Sequence, residues 1–143
     1  MPIELILKQE AELKITSPNT FKQFSANIDA NRDNLLWLLT SLKKAGKKVF
    51  GYGASTRGNT ILEYCNITTD LLSAIAEINE EKFGAFTPKT HIPIISEREA
   101  LAQKPDFFLV LPYHFRDFII EKSQNYLNNG GHLIFPIPHI EII

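Results

Sequence analysis

From Thr20 to Leu42, apolar side chains recur three and four positions apart at Phe21, Phe24, Ile28, Leu35, Leu36, Leu38, Leu39 and Leu42. That spacing predicts helix over residues 20–45, stopped at Ala45-Gly46, where glycine suits the position after a helix end. Asn31 and Asp33 interrupt the stripe and mark a join between two helices. Ahead of it, Ile3, Leu5 and Ile6 predict a short strand, and Ser17-Pro18-Asn19 breaks the chain. After Gly46 the period shortens. Lys48-Val49-Phe50-Gly51-Tyr52 is a β-type run, followed by a glycine loop and by a helix that Ser55 or Thr56 can cap and that reaches about Cys65. Leu71 to Ile78 reads as a second buried strand, with helix left open by its leucine and alanine content. His91 to Ile95 is extended and contains Pro93, which places it at a sheet edge. Ser96 with Glu99 three residues on is a capping-box pattern. Asp106 to Leu111 is the clearest buried strand, Phe115 to Asn128 an amphipathic helix stopped by Gly130-Gly131, and His132 to Phe135 a last strand.

Strand alternating with helix in this way predicts an α/β fold, a doubly wound, Rossmann-like, mostly parallel sheet with helices on both faces. The expected division is an N-terminal extension and approach helix over 1–46 and a nucleotide-binding domain over 47–143. A chain of 143 residues is one domain in size and has a core large enough to need no staple. Cys65 is the only cysteine, which excludes an intramolecular disulfide and a cysteine-rich zinc site and fits a reducing compartment. His132 and His139 are too scattered to argue a metal. A formal net charge of −1 offers no general attraction to nucleic acid or anionic membrane, and Lys43-Lys44 with Lys47-Lys48 reads as a solvated helix end. No apolar run is long enough to span a bilayer, and Glu4, Lys8, Glu10 and Glu12 do not make a signal peptide. A cytoplasmic location is the expectation.

In such folds ligands sit outside the carboxyl ends of the strands, and the first strand-to-helix turn is the usual phosphate site. Here that turn is GYGASTRGN, Gly51 to Asn59. Glycine allows the tight turn and close backbone approach, the first N–H groups of the helix from Ser55 to Gly58 suit an anion, and Arg57 can reach a diphosphate. The fit to the dinucleotide fingerprint is partial: Gly51 and Gly53 supply two glycines, Thr56 stands at the third position, and the next glycine is Gly58. Glu77 lies at the distance expected of an acid that accepts from a ribose hydroxyl. The plainer alternative is a packing turn with Glu77 as a solvated strand end. Lys82 can neutralise phosphate or stand in a solvated loop. His114 follows the strongest strand at its active-site end, with no partner acid assignable. Cys65 reads as a buried, inert thiol; Phe107, Phe108, Phe115 and Phe118 as core; and Trp37 as an anchor or a face toward a partner.

Four blocks, GYGASTRGN at 51–59, NEEKFGAFTPKTHIPI at 79–94, KPDFFLVLPYHF at 104–115 and NGGHLIFPIPHI at 129–140, occur in one order and spacing. Together they resemble the C-terminal domain of the sugar C-methyltransferases, S-adenosylmethionine-dependent enzymes that methylate a carbon of nucleotide-linked keto-deoxysugars. The resemblance covers roughly residues 20–140. It implies a Rossmann-like domain that helps hold the nucleotide sugar, while a separate domain, in cis or in trans, holds S-adenosylmethionine and the catalytic base. It carries no methyl transfer onto this chain, which binds no cofactor of its own in this reading. The residues it points to are Gly51, Tyr52, Gly53, Ala54, Ser55, Thr56, Arg57 and Gly58 around the diphosphate, with Lys82 toward phosphate, Glu77 toward the ribose, and His91, Tyr113 and His114 toward the sugar. The chain departs from the family pattern at Tyr113-His114, where Trp-Asn is usual, at Glu77, where aspartate is usual, and at Lys89, where a glycine follows proline. A positive φ at Lys89 would be strained. Two rivals remain: a small NAD-dependent oxidoreductase or epimerase, for which no Tyr-x-x-x-Lys is found, and an interaction domain with an empty loop.

Overall fold

Val49–Tyr52 (β1) is buried at every residue and sends its side chains alternately to two faces. Val49 joins a cluster with Ile61, Leu62, Ile75 and Leu109, whereas Phe50 and Tyr52 join Ala76, Ala100, Phe108 and Ile119. A strand covered on both faces belongs inside a parallel sheet. The computed structural model, which describes residues 2–143, places it there. The remaining strands are Ile75–Glu77 (β2), Ile94–Ser96 (β3), Phe107–Val110 (β4), His132–Phe135 (β5) and Glu141–Ile142 (β6), in the order β3-β2-β1-β4-β5-β6. All neighbours pair parallel except β5 and β6. This is the strand order of doubly wound nucleotide-binding folds, and the order reverses between β1 and β4, where such sheets open a crevice.

The helices are Ile3–Glu12 (α1), Pro18–Lys44 (α2), Thr56–Tyr64 (α3), Glu97–Ala102 (α4), Arg116–Lys122 (α5) and Gln124–Asn128 (α6). Leu35 and Leu39 of α2, with Ile61 and Leu62 of α3, cover one sheet face; Ala100 of α4 and Ile119 of α5 cover the other. The chain divides into two compact units, Met1–Asn31 and Arg32–Ile143. The sheet, α3 to α6 and the stretch of α2 from Arg32 onward, which carries Leu35 and Leu39, lie in the second.

Several local expectations are corrected. Ile3, Leu5 and Ile6 belong to α1, not to a strand; the segment is rich in Glu, Leu, Lys and Gln, which favour helix. No break occurs at Asn31 or Asp33, because both polar residues fit within a continuous turn of α2. Of the run Leu71 to Ile78 only Ile75–Glu77 is strand: the Leu71 and Leu72 N–H groups close a turn onto the Thr68 carbonyl, and ladder pairing to β1 starts at Ile75. The single helix expected from Phe115 to Asn128 is a 3-10 turn at Tyr113–Phe115 followed by α5 and α6. β6, whose pattern signalled nothing, closes the sheet edge.

The capping box forms as expected. Ser96 Oγ accepts from the Glu99 N–H at 3.1 Å, and the Glu99 carboxylate accepts from the Ser96 N–H at 3.0 Å. Ser96→Ala is expected to lower stability by about 1 kcal/mol, read as a shifted urea midpoint at unchanged slope.

Candidate functional site

The glycine loop leaves the carboxyl end of β1 pinned on both sides. The Gly53 N–H donates to the Ala76 carbonyl of β2 at 2.8 Å, and the Tyr52 carbonyl accepts from the Leu111 N–H after β4 at 3.0 Å. Gly53 has φ +79°, and a Cβ there would stand 2.8 Å from the Pro112 ring. Both constraints require glycine. Gly51 is held to glycine by Ile75, whose side chain would lie 2.8 Å from a Cβ. Ser55 caps α3, its Oγ accepting from the Gly58 N–H at 3.0 Å. The first α-helical bond runs from the Asn59 N–H to the Ser55 carbonyl. The N–H groups of Ser55, Thr56 and Arg57 therefore precede any intrahelical bond and carry the positive end of the helix dipole.

Gly58 answers the irregular fingerprint. A Cβ on it would lie 2.5 Å from Leu111 Cβ and 3.0 Å from Ser55 Oγ. In the dinucleotide motif a third glycine lets the helix pack closely on the sheet. Here that role falls on Gly58, two residues beyond Thr56.

Glu77 is 8% exposed and grips the loop. One carboxylate oxygen accepts from the Ala54 N–H at 2.8 Å; the other accepts from the N–H groups of Ile78 at 2.8 Å and Asn79 at 3.0 Å. Lys82 Nζ donates to the Ala54 carbonyl at 2.7 Å and lies 3.6 Å from the same carboxylate. Burial pushes the Glu77 carboxyl up, but the three N–H donors and Lys82 outweigh it and hold it below the usual glutamate range. Ala54 is thus clamped at both its N–H and its carbonyl by one ion pair. The one signal for that clamp in the amino-acid order is the acid at 77 and the base at 82 bracketing an Asn-Glu-Glu turn.

The other predicted residues divide. Thr56 and Arg57 are exposed at the start of α3, and Arg57 has no ion-pair partner among the described residues. The Tyr52 ring lies in the core, edge-on to Phe108 at 5.5 Å, so only its backbone serves the loop. Tyr113 is half-buried and packs on both core clusters directly after Pro112, while His114 is exposed with its ring 4.2 Å from Phe115. Pro112 therefore brings the Tyr113-His114 turn to the glycine loop. His91 is exposed, with φ +53°, in a turn that contacts α3 through Lys89 and Glu63 at 3.1 Å. Lys89 itself has φ +58°, the left-handed conformation that a glycine at this position would adopt without strain. A groove of about 540 Å³, lined by Thr56, Asn59, Thr60, Glu63, Tyr64 and Pro88, runs along α3 toward that turn.

Phe115 and Phe118, expected in the core, are 57% and 65% exposed: Phe115 lies in the 3-10 turn, and α5 buries Ile119 in place of its neighbour Phe118. Phe115 joins the aromatic rim of the site. Phe108 is core as expected. Cys65 is buried and its thiol is pushed up to about 11 by burial, consistent with an inert side chain. The larger cleft, about 660 Å³, lies between α4 and α5–α6, where Glu97 and Lys122 pair at 3.2 Å and the Tyr126 hydroxyl donates to the Pro105 carbonyl. Tyr52 at the end of β1 lines it, on the sheet face opposite α3. Among the described residues no cluster suits a metal ion, and no helix is long and apolar enough to cross a membrane.

Comparison with known proteins assigns the chain to a family. The chain is 30% identical over 138 residues to the C-methyltransferase NovU of Streptomyces niveus, covering 96% of this chain and 33% of that protein. It therefore spans about one third of the length of this relative. The family described as the C-methyltransferase C-terminal domain matches residues 2–138. With its strand order, its glycine loop and a match across nearly all of its length, the chain belongs to the C-methyltransferase C-terminal domain family.

Proposed function

We propose that this domain holds the diphosphate of a nucleotide-linked sugar at the glycine loop. In this reading a methyltransferase domain, in cis or in trans, supplies S-adenosylmethionine and the chemistry of C-methylation. The observation that carries the reading is the clamp on Ala54. A loop held at both its N–H and its carbonyl presents the Ser55, Thr56 and Arg57 N–H groups in one fixed arrangement at the switch point. Preorganised donors of this kind favour an anion, because little ordering remains to be done on binding. Lys82 is engaged with Glu77, so Arg57 is the cation left to meet a phosphate. Tyr113, His114 and Phe115 offer aromatic surface on the β4 side of the same loop, suited to a base or a sugar ring. His91 stands at the far turn.

Glu77 also bears on which nucleotide fits. In dinucleotide-binding folds the acid after β2 accepts from a ribose diol. Here both of its oxygens already accept from N–H groups and the side chain is buried. Its part is to set the loop, which favours a ligand gripped by phosphate over NAD or S-adenosylmethionine in this loop. Calorimetric titration with thymidine diphosphate, NAD and S-adenosylmethionine tests the reading. Saturable binding of thymidine diphosphate alone is expected, with affinity falling about tenfold in Arg57→Ala as one charge-assisted contact is lost. Binding of NAD alone would move the assignment to an oxidoreductase, and silence from all three would favour an interaction domain.

A further inference from the structure

The unit Met1–Asn31 has an apolar surface and no core. None of residues 2–31 is buried. Ile3, Ile6 and Leu7 recur on α1 at helical spacing, as do Phe21, Phe24 and Ile28 on α2, and each set makes one stripe. Phe21 and Phe24 are 60% and 64% exposed. Polar side chains of the same helices pair with one another, Lys8 with Glu12 at 4.0 Å and Gln23 with Asn27 at 2.9 Å. Among the described residues, neither stripe belongs to a buried apolar cluster. A segment this short cannot bury enough surface to stand by itself, and contiguous exposed apolar surface marks an interaction site. A membrane is a poor occupant: Glu4, Glu10, Glu12 and Asp29 share the unit with Lys8, Lys14 and Lys22, whereas helices lying on membranes have a cationic polar face.

We infer that these two stripes form the docking surface for the methyl-donor-binding domain. The inference rests on the proposed function in so far as that partner is a methyltransferase domain. Two observations select it. The Streptomyces niveus relative has two thirds of its length outside the match to this chain. The family is by its description a C-terminal domain, so in its proteins the rest of the enzyme joins on the side of these first residues. The uncovered stripes lie where that neighbour enters, and Phe21 with Phe24 supplies the aromatic centre that stable interfaces use.

The test uses the full chain, with the two thirds of the Streptomyces niveus relative outside the match as the partner, shown to be folded by its own S-adenosylmethionine binding. We expect the chain alone to sediment as a monomer and to bind this partner. The double variant Phe21→Glu/Phe24→Glu should weaken that binding at least tenfold, and Ile28→Glu should weaken it in the same direction. Both variants should keep their far-ultraviolet circular dichroism and their affinity for thymidine diphosphate. Three results would overturn the inference: no binding to the folded partner, binding unchanged in both variants, or a dimer of the chain that the double variant dissociates. Docking that survives while the wild-type chain fails to bind thymidine diphosphate would sink the loop reading and leave the docking surface standing.

Discussion

Gly58→Ala is expected to destabilise the protein by about 1–3 kcal/mol, the range of an overpacked core position. Local helix propensity predicts the opposite sign, since alanine inside a helix is favoured over glycine by about 1 kcal/mol. Gly58 lies within α3, but the added Cβ would stand 2.5 Å from Leu111 Cβ and 3.2 Å from Leu111 Cδ1. Leu111 is fully buried at the end of β4 and cannot swing away. The helix would have to lift off the sheet, moving the Ser55–Arg57 N–H groups with it. Gly84→Ala is the control. Nothing lies within 4 Å of a Cβ there, so only its φ of +79° opposes the change, at a cost of about 1 kcal/mol. Urea unfolding of the two variants separates steric collision from backbone strain, and equal losses would mean that α3 does not pack as described.

Glu77→Gln should loosen the glycine loop and alter the response to acid. The amide keeps one acceptor oxygen, but it turns an NH2 group toward backbone N–H donors that now meet a carboxylate, and it removes the partner of Lys82. A loss of about 1–3 kcal/mol is expected, moderated because Lys82, Ile78 and Asn79 are open enough for water to replace part of the interaction. The pH dependence has a definite sign. The folded carboxyl titrates below its ordinary value of 4.5, so its contribution is complete above about that pH and is lost as pH falls through the lower folded value. Asp106, Glu99 and Glu141 are shifted in the same direction, so wild type alone would show a composite acid transition. The informative quantity is the difference in unfolding free energy between wild type and Glu77→Gln. It should be constant above pH 5 and shrink below 4.5. A difference that does not change with pH would mean that Glu77 does not clamp the loop as an anion. Thymidine diphosphate affinity at neutral pH should fall in parallel, as Ala54 is released.

These two residues also show why a partial fingerprint can still build a tight, fixed strand-to-helix turn. The turn needs a glycine wherever backbone meets a ring or a neighbouring strand, and those places are fixed by contacts with Pro112, Ile75 and Leu111. The spacing of glycines along the chain matters less than which of them faces the sheet. Likewise the acid after β2 serves the loop here by holding its peptide units, a part that its position along the chain does not distinguish from contact with a ribose.

Strongly periodic, locally encoded features were legible in the amino-acid order: the β1–loop–α3 unit, the buried run of β4, the capping box at Ser96 and Glu99, and the α/β alternation that makes a doubly wound sheet. Each rests on interactions within a few residues or on a hydrophobic period long enough to average out exceptions. Tertiary structure decided the rest, because those features depend on residues far apart in the chain. Three apolar residues near the start suit strand or helix equally well, and only helix is found. Leu72 is apolar and fully buried, yet lies in a turn, since pairing to β1 begins three residues later. Phe115 and Phe118 carry the same side chain as Phe108, but one stands in a 3-10 turn and the other on the open side of α5, and both reach the surface. Glu77 became a clamp through Ala54, 23 residues away, and Gly58 became the packing glycine through Leu111, just past the end of β4. A side chain's period along the chain tells which face it takes; only the folded neighbours tell what that face meets.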